Sequence, residues 1–175
     1  MELTFRKGTC SDIEAYILFL EEVRAGMSNK DWFYLDPPEL IREMMEDGTM
    51  ELWVAMDGRR MAAAFHILHP GLADYNYGYD LALSESDLQR VEHMDSSAVH
   101  PDYRGLGLQR KMVKTAEEAL SGTGKKILLC TVHPENSYSL NNMVKQGYLP
   151  CFFPIVKLHK KLRVPMCNMQ KYIIY

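Results

Sequence analysis

Val99-His100-Pro101-Asp102-Tyr103-Arg104-Gly105-Leu106-Gly107-Leu108-Gln109 is the stretch on which the reading of this chain turns. A strand-like run ends at Val99 and the chain turns through Pro101. Two glycines then open RGLGLQRKMVKTAEEAL, which has the spacing of an amphipathic helix stopping at Ser121-Gly122. Gly105 and Gly107 carry no Cβ, so backbone N–H groups there can approach a bulky anion closely. The first N–H groups of a helix lack an intrahelical acceptor, and the helix dipole favours negative charge at that end. Arg104, Arg110 and Lys111 add cationic charge. The segment reads as a pyrophosphate cradle. A P-loop would need Gly-Lys-Ser/Thr, which is absent. A dinucleotide fingerprint would need a third glycine where Arg110 stands, and it usually follows the first strand.

Outward from this motif, strands and helices alternate. Upstream, Arg90 to Val99 reads as a strand. Before it, Glu51–Met56 and Met61–His69 form a hairpin around the turn Asp57-Gly58-Arg59-Arg60. Between hairpin and strand, Pro70 to Gln89 reads as loop, with one helical turn in SESDLQR. Nearer the start, Leu3 to Arg6 alternates as a strand, and Ser11 or Asp12 can cap a helix running to about Met27. The aromatic loop DWFYLDPP (31–38) leads into a second helix over Glu39–Glu46. Downstream, Lys126–His133 is a buried strand, Ser137–Gln146 a helix and Tyr148–His159 a strand, with Met169–Tyr175 returning antiparallel to it. The class is mixed α/β, not a fully parallel doubly wound sheet.

Composition sets the bounds. At 175 residues, 47% hydrophobic and 25% charged, the chain has the make-up of one globular domain spanning 1–175. Twenty Lys and Arg against 23 Asp and Glu leave a net charge of −3, which argues against a dedicated nucleic-acid partner. The four cysteines, Cys10, Cys130, Cys151 and Cys167, form no CxxC pair and read as thiols of a reducing compartment. The start MELTFRKG has no signal-peptide apolar run, and no stretch approaches a membrane span. The expected location is cytoplasmic, with no membrane partner.

VHPDYRGLGLQRKMV resembles the acyl-CoA signature Q/R-x-x-G-x-G/A of the GNAT superfamily of N-acyltransferases. Read from Arg104, Gly107 fits and Gln109 takes the final small-residue slot. Read from Asp102, both glycines fit and the first slot is acidic. HPENSYSLNNMVKQGY is similar to a second family pattern, N-x-x-A-x-x-x-Y-x-K-x-G-F, in which Asn136 matches the cofactor-contacting asparagine and Ser139 the small residue. Met143 stands where many members have the tyrosine that protonates the departing thiolate. The resemblance implies a mixed, mostly antiparallel sheet flanked by helices, with two splayed central strands. It also implies acetyl-CoA (coenzyme A) as cofactor and direct acetyl transfer to an amine. Contacts to the cofactor are expected from Ser97, Ala98 and Val99, from Arg104, Gly105, Leu106, Gly107, Leu108, Gln109 and Arg110, and from Asn136 and Ser139.

Such a reaction needs a base for the amine and an acid for the thiolate. On an unbroken strand His93, Asp95, Ser97 and Val99 share one face, and Glu92, Met94, Ser96 and Ala98 the other; a bulge would break that parity. His93 and Asp95 occupy places where arylalkylamine members of the family carry base histidines, and an imidazole titrates near neutrality. Glu92 is the rival base. Tyr138 or solvent is the candidate acid. Trp32, Tyr34, Tyr77 and Tyr79 are candidates for the acceptor wall, where aromatics among acids suit an amine with an apolar body. His66 and His69 carry no expected metal site, and Cys130 reads as core. The expected acceptor is a small-molecule amine. The alternatives are a protein N-terminal or lysine acetyltransferase and a catalytically silent acyl-CoA-binding module. A monomer or homodimer is compatible with all three.

Overall fold

A computed structural model describes residues 2–124, 127–151 and 170–174. The strands are β1 (Thr4–Lys7), β2 (Met50–Asp57), β3 (Arg60–Leu68), β4 (Val91–Val99), β5 (Ile127–Thr131), β6 (Leu149–Cys151) and β7 (Gln170–Ile174). The α-helices are α1 (Ile13–Ala25), α2 (Pro38–Glu46), α3 (Glu85–Leu88), α4 (Leu108–Leu120) and α5 (Ser137–Lys145). Among the described residues, seven strands join one sheet in the order β1-β2-β3-β4-β5-β7-β6. The first four pair antiparallel; β5 pairs parallel with β4 and with β7.

Local chemistry sets the element ends. Asp12 does not cap α1 as a simple N-cap. Its carboxylate accepts from the Thr9 N–H at 2.8 Å and from the Arg6 guanidinium at 2.7 and 2.8 Å, which winds Cys10–Asp12 into a 3-10 turn ahead of the helix. Pro38 opens α2, where a missing N–H costs nothing. The β2–β3 hairpin turns at Gly58, whose φ is +58°.

Each sheet face carries its own core. Ala63, Phe65, Ile67 and Met94 pack against Met112, Val113 and Ala116 of α4. Ala64, Leu68 and Ala98 pack against Tyr16, Ile17, Leu20 and Val23 of α1 and Ile41 of α2. A smaller cluster of Leu81, Val91, Ile127 and Leu129 seats the 70–89 segment on the sheet.

Two expectations change. The last strand does not return antiparallel: β6 pairs with β7 in parallel, Leu149 opposite Tyr172 and Cys151 opposite Ile174. Residues 152–169 separate them, and a parallel crossover needs a dozen or more residues where an antiparallel hairpin needs only a few. The remainder of the strand expected to reach His159 lies outside the described residues. The second change is in β4. Phe65 pairs with Ser97 but Ile67 pairs with Met94, so Asp95 and Ser96 together oppose His66. This bulge moves Ser97 and Val99 to the face of Met94 and leaves His93 and Asp95 on the opposite face. The expectation that all four alternate residues share a face fails for that reason.

Candidate active site

β4 and β5 are paired only over Val91–His93 and Ile127–Leu129; beyond these pairs the two strands part. A cleft of about 1520 Å³ occupies the gap, lined by Met94–Val99 of β4 and Cys130–His133 of β5 and its extension. No helix among the described residues is long and apolar enough to cross a membrane.

One end of the cleft is the glycine turn. Gly105 and Gly107 both have positive φ, +82° and +69°, and a Cβ on Gly105 would meet nothing within 4 Å. Gly107 is the N-cap of α4, and the first intrahelical bond there runs from Lys111 N–H to Gly107 C=O at 3.1 Å. The N–H groups of the first turn are therefore open to an anion. Arg104, Gly105, Gly107, Leu108 and Gln109 line the cleft; Leu106 and Arg110 do not. Gln109 ties α4 to α5: its Oε1 accepts from Asn142 Nδ2 at 2.6 Å, and its Nε2 donates to Ser139 Oγ at 3.4 Å. Asn136 caps α5 by accepting from Ser139 N–H at 3.1 Å, and both residues line the cleft. Ser97, Ala98 and Val99 line it as well, and the buried Ser97 Oγ has no partner among the described residues. Positive-φ glycines, open helix N–H groups and an unpaired hydroxyl are what a pyrophosphate followed by an amide-bearing arm would use.

The candidate bases separate sharply. Glu92 is buried, does not line the cleft, and contacts His69 Nδ1. His93 lines the cleft, but its Nε2 already accepts from the Tyr77 N–H at 3.2 Å, and the ring stacks on Tyr77 at 4.1 Å and 14°. Burial, partly offset by the charge of Asp95, pushes His93 down to about 4. Asp95 also lines the cleft, with 19% of its side chain exposed. Its Oδ2 accepts from His66 Nε2 at 2.8 Å and from Ser96 Oγ at 3.2 Å. Burial pushes the Asp95 carboxyl up, but the hydrogen bond from His66, its electrostatic interactions with His66 and His93 and the Ser96 hydroxyl outweigh it and hold the group below its ordinary value.

Asp36, from the loop before α2, completes a cluster that the sequence did not announce. Asp36, His66 and Asp95 each present one ligand-type atom, all within 4.8 Å of one another. The donor set suits a cation, yet both His66 nitrogens are taken, Nδ1 by the Tyr16 hydroxyl at 2.7 Å and Nε2 by Asp95. Burial, then the charge of Asp95, raises Asp36. His66 lies in the apolar run MAAAFHIL, and nothing local in the sequence links it to residues 16, 36 or 95.

Aromatic side chains wall this end. Trp32, Tyr34, Tyr75 and Tyr77 line the cleft; Tyr79 does not, and its hydroxyl donates to Leu72 C=O at 3.0 Å. Tyr138 lines the rim, 81% exposed, while Met143 is buried in the lining. Burial pushes the Cys130 thiol far up, which leaves a poor nucleophile.

A model of the acetyltransferase (GNAT) family matches residues 26–148. No curated protein matches the sequence significantly. Among solved structures, yncA of Salmonella typhimurium, with its cofactor acetyl-CoA, superposes with a TM-score of 0.63 at 15% identity, over 85% of this chain and 80% of that one. PaiA N-acetyltransferase of Thermoplasma acidophilum, in complex with coenzyme A, gives 0.57 at 15% identity, over 85% and 91%. An aminoglycoside acetyltransferase from an uncultured soil metagenomic sample, in complex with sisomicin, gives 0.58 at 14% identity, over 83% and 86%. At these identities the likeness is one of fold.

Proposed function

Because the chain belongs to the acetyltransferase (GNAT) family, we propose that it is an acetyl-CoA-dependent N-acetyltransferase moving an acetyl group directly to a primary amine of a small molecule. One observation carries the reading: the cleft opened by the parting of β4 and β5 holds a glycine-rich helix N-terminus at one end and the Asp95 carboxyl beside aromatic rings at the other. Relatives of the same fold solved with acetyl-CoA or coenzyme A support the cofactor.

Bound acetyl-CoA would supply a thioester carbonyl activated toward an amine. The N–H groups opening α4, with Arg104, hold the pyrophosphate. Ser97 to Val99 offer backbone and hydroxyl groups to the pantetheine arm and carbonyl. Asp95 takes the proton from the acceptor nitrogen at Oδ1, since both of its hydrogen bonds among the described residues fall on Oδ2. His93, with its lone pair engaged, holds Tyr77 in the acceptor wall instead. Tyr138, which lines the cleft and is exposed, would be the proton donor to the departing sulfur; Met143 has no proton to give. Asp36 and Asp95 favour an acceptor that arrives as a cation, and Trp32, Tyr34 and Tyr77 flank its apolar body. A cytoplasmic location fits this requirement for acetyl-CoA.

The test is thiol release from acetyl-CoA across a panel of primary amines, aminoglycosides and peptides. The proposal expects saturable release dependent on a small amine. Release only with peptides would make the chain a protein acetyltransferase, and tight coenzyme A binding without turnover a silent binding module.

A further inference from the structure

We propose that His66, held in one tautomer by Tyr16, positions the Asp95 carboxylate within the cleft; this rests on the reading of Asp95 as proton acceptor. The three groups come from three elements: Tyr16 from α1, His66 from β3 and Asp95 from β4. The β4 bulge creates the contact, because two β4 residues, Asp95 and Ser96, oppose His66 where a regular ladder would place one.

The direction of the chain follows from donor chemistry. Tyr16 is completely buried and its phenol stays protonated, burial being the largest cause. It donates to His66 Nδ1 at 2.7 Å, its ring meeting the imidazole edge-on at 79°. With Nδ1 accepting, the neutral imidazole carries its proton on Nε2, which donates to Asp95 Oδ2 at 2.8 Å. A carboxylate only accepts, so the order Tyr16 to His66 to Asp95 is consistent at each step.

Placing an imidazole in an apolar strand carries a desolvation cost that a leucine there would avoid. A purely structural tie between α1 and the sheet could end on a backbone carbonyl. This one ends on a carboxylate lining the cleft. Among the groups facing Asp95, the Asp36 carboxylate opposes ionisation, as does burial. His66, His93 and the Ser96 hydroxyl favour it, and Tyr77 flanks it as a neutral phenol. His66 is the one among them that both hydrogen-bonds to Asp95 and is itself fixed by a second buried partner.

The experiment compares His66→Leu, His66→Gln and Tyr16→Phe with the parent. Three readouts serve: the pH dependence of kcat, the ¹³C-carboxyl NMR titration of Asp95 in the cofactor-free protein, and the ¹⁵N signals of the His66 imidazole. The parent should show the Nε2–H tautomer. His66→Leu should lower kcat by about 10²-fold, the lower end of acid–base effects. It should also raise both the acid limb and the Asp95 titration, with KM for acetyl-CoA unchanged. His66→Gln, whose amide can donate from near the Nε2 position, should restore most of the rate. Tyr16→Phe should give an intermediate loss with mixed imidazole tautomers, and it decides the matter should His66→Leu fail to fold. An Asp95 titration and acid limb unmoved in a folded variant would overturn the inference. Full activity in Asp95→Asn would overturn the base assignment beneath it; a dead Asp95→Asn beside an unshifted His66→Leu would overturn this inference alone.

Discussion

The imidazole of His93 accepts a hydrogen bond from the Tyr77 N–H and lies flat against the Tyr77 ring, so its lone pair is already committed. Asp95, two residues on, faces the cleft with a carboxylate that its neighbours keep ionised. At the residue scale this predicts that Asp95→Asn lowers kcat by about 10² or more, whereas His93→Gln, which keeps an acceptor for Tyr77, changes it by less than about tenfold. Amine acetylation across pH 5–9 checks both, and no limb between 5 and 8 should vanish with His93. A second comparison concerns the acid. Tyr138→Phe should slow transfer while Met143→Phe leaves it within a few-fold, in the same thiol-release assay; equal small effects would make solvent the proton donor. His93 and Asp95 were expected from the family resemblance on their strand, and Tyr138 from its nearness to the family's tyrosine slot; all three line the cleft. Asp36, His66 and Tyr16 were not legible, because their meeting depends on tertiary packing and on a one-residue bulge that leaves no mark in composition or periodicity.

At the scale of elements, the glycine turn was readable because its requirements are local. Both glycines adopt positive φ, and the helix opens where its polar N–H groups become available. The hairpin and the helix–loop–helix start followed likewise from turn residues and apolar spacing. The parallel pairing of β6 with β7 did not, since strand direction is set by how the intervening chain crosses and not by the strands' own residues. Gln109 occupies the slot where the family motif has a small residue, and its amide joins α4 to α5. Gln109→Ala removes both bonds, each worth about 1 kcal/mol, and should lower Tm by about 4–8 °C while raising KM for acetyl-CoA. Differential scanning calorimetry and initial-rate kinetics read the two effects; an unchanged KM would assign Gln109 to packing alone.

Across the whole molecule, buried titratable groups make stability depend on pH with a definite sign. His93 binds its proton only near pH 4 when folded, but near 6.5 when unfolded. Between those values the unfolded chain holds more protons, so stability falls as pH drops through that window, by about 2–3 kcal/mol for a shift of this size. Asp12, held far below the carboxylate range chiefly by the Arg6 hydrogen bond, adds a further loss as pH falls below about 4. Urea unfolding at pH 7 and pH 5 should show the first effect, and His93→Gln should flatten it. The central claim concerns what the cleft binds. Isothermal titration of acetyl-CoA into the protein measures it directly, with Gly107→Glu as the comparison, since that change sets bulk and negative charge at the α4 N-terminus. Saturable one-to-one binding, abolished in a Gly107→Glu variant that still unfolds cooperatively at a Tm lowered by the strain of a side chain at positive φ, is the predicted result; no binding to the parent, or equal binding by the folded variant, would contradict it.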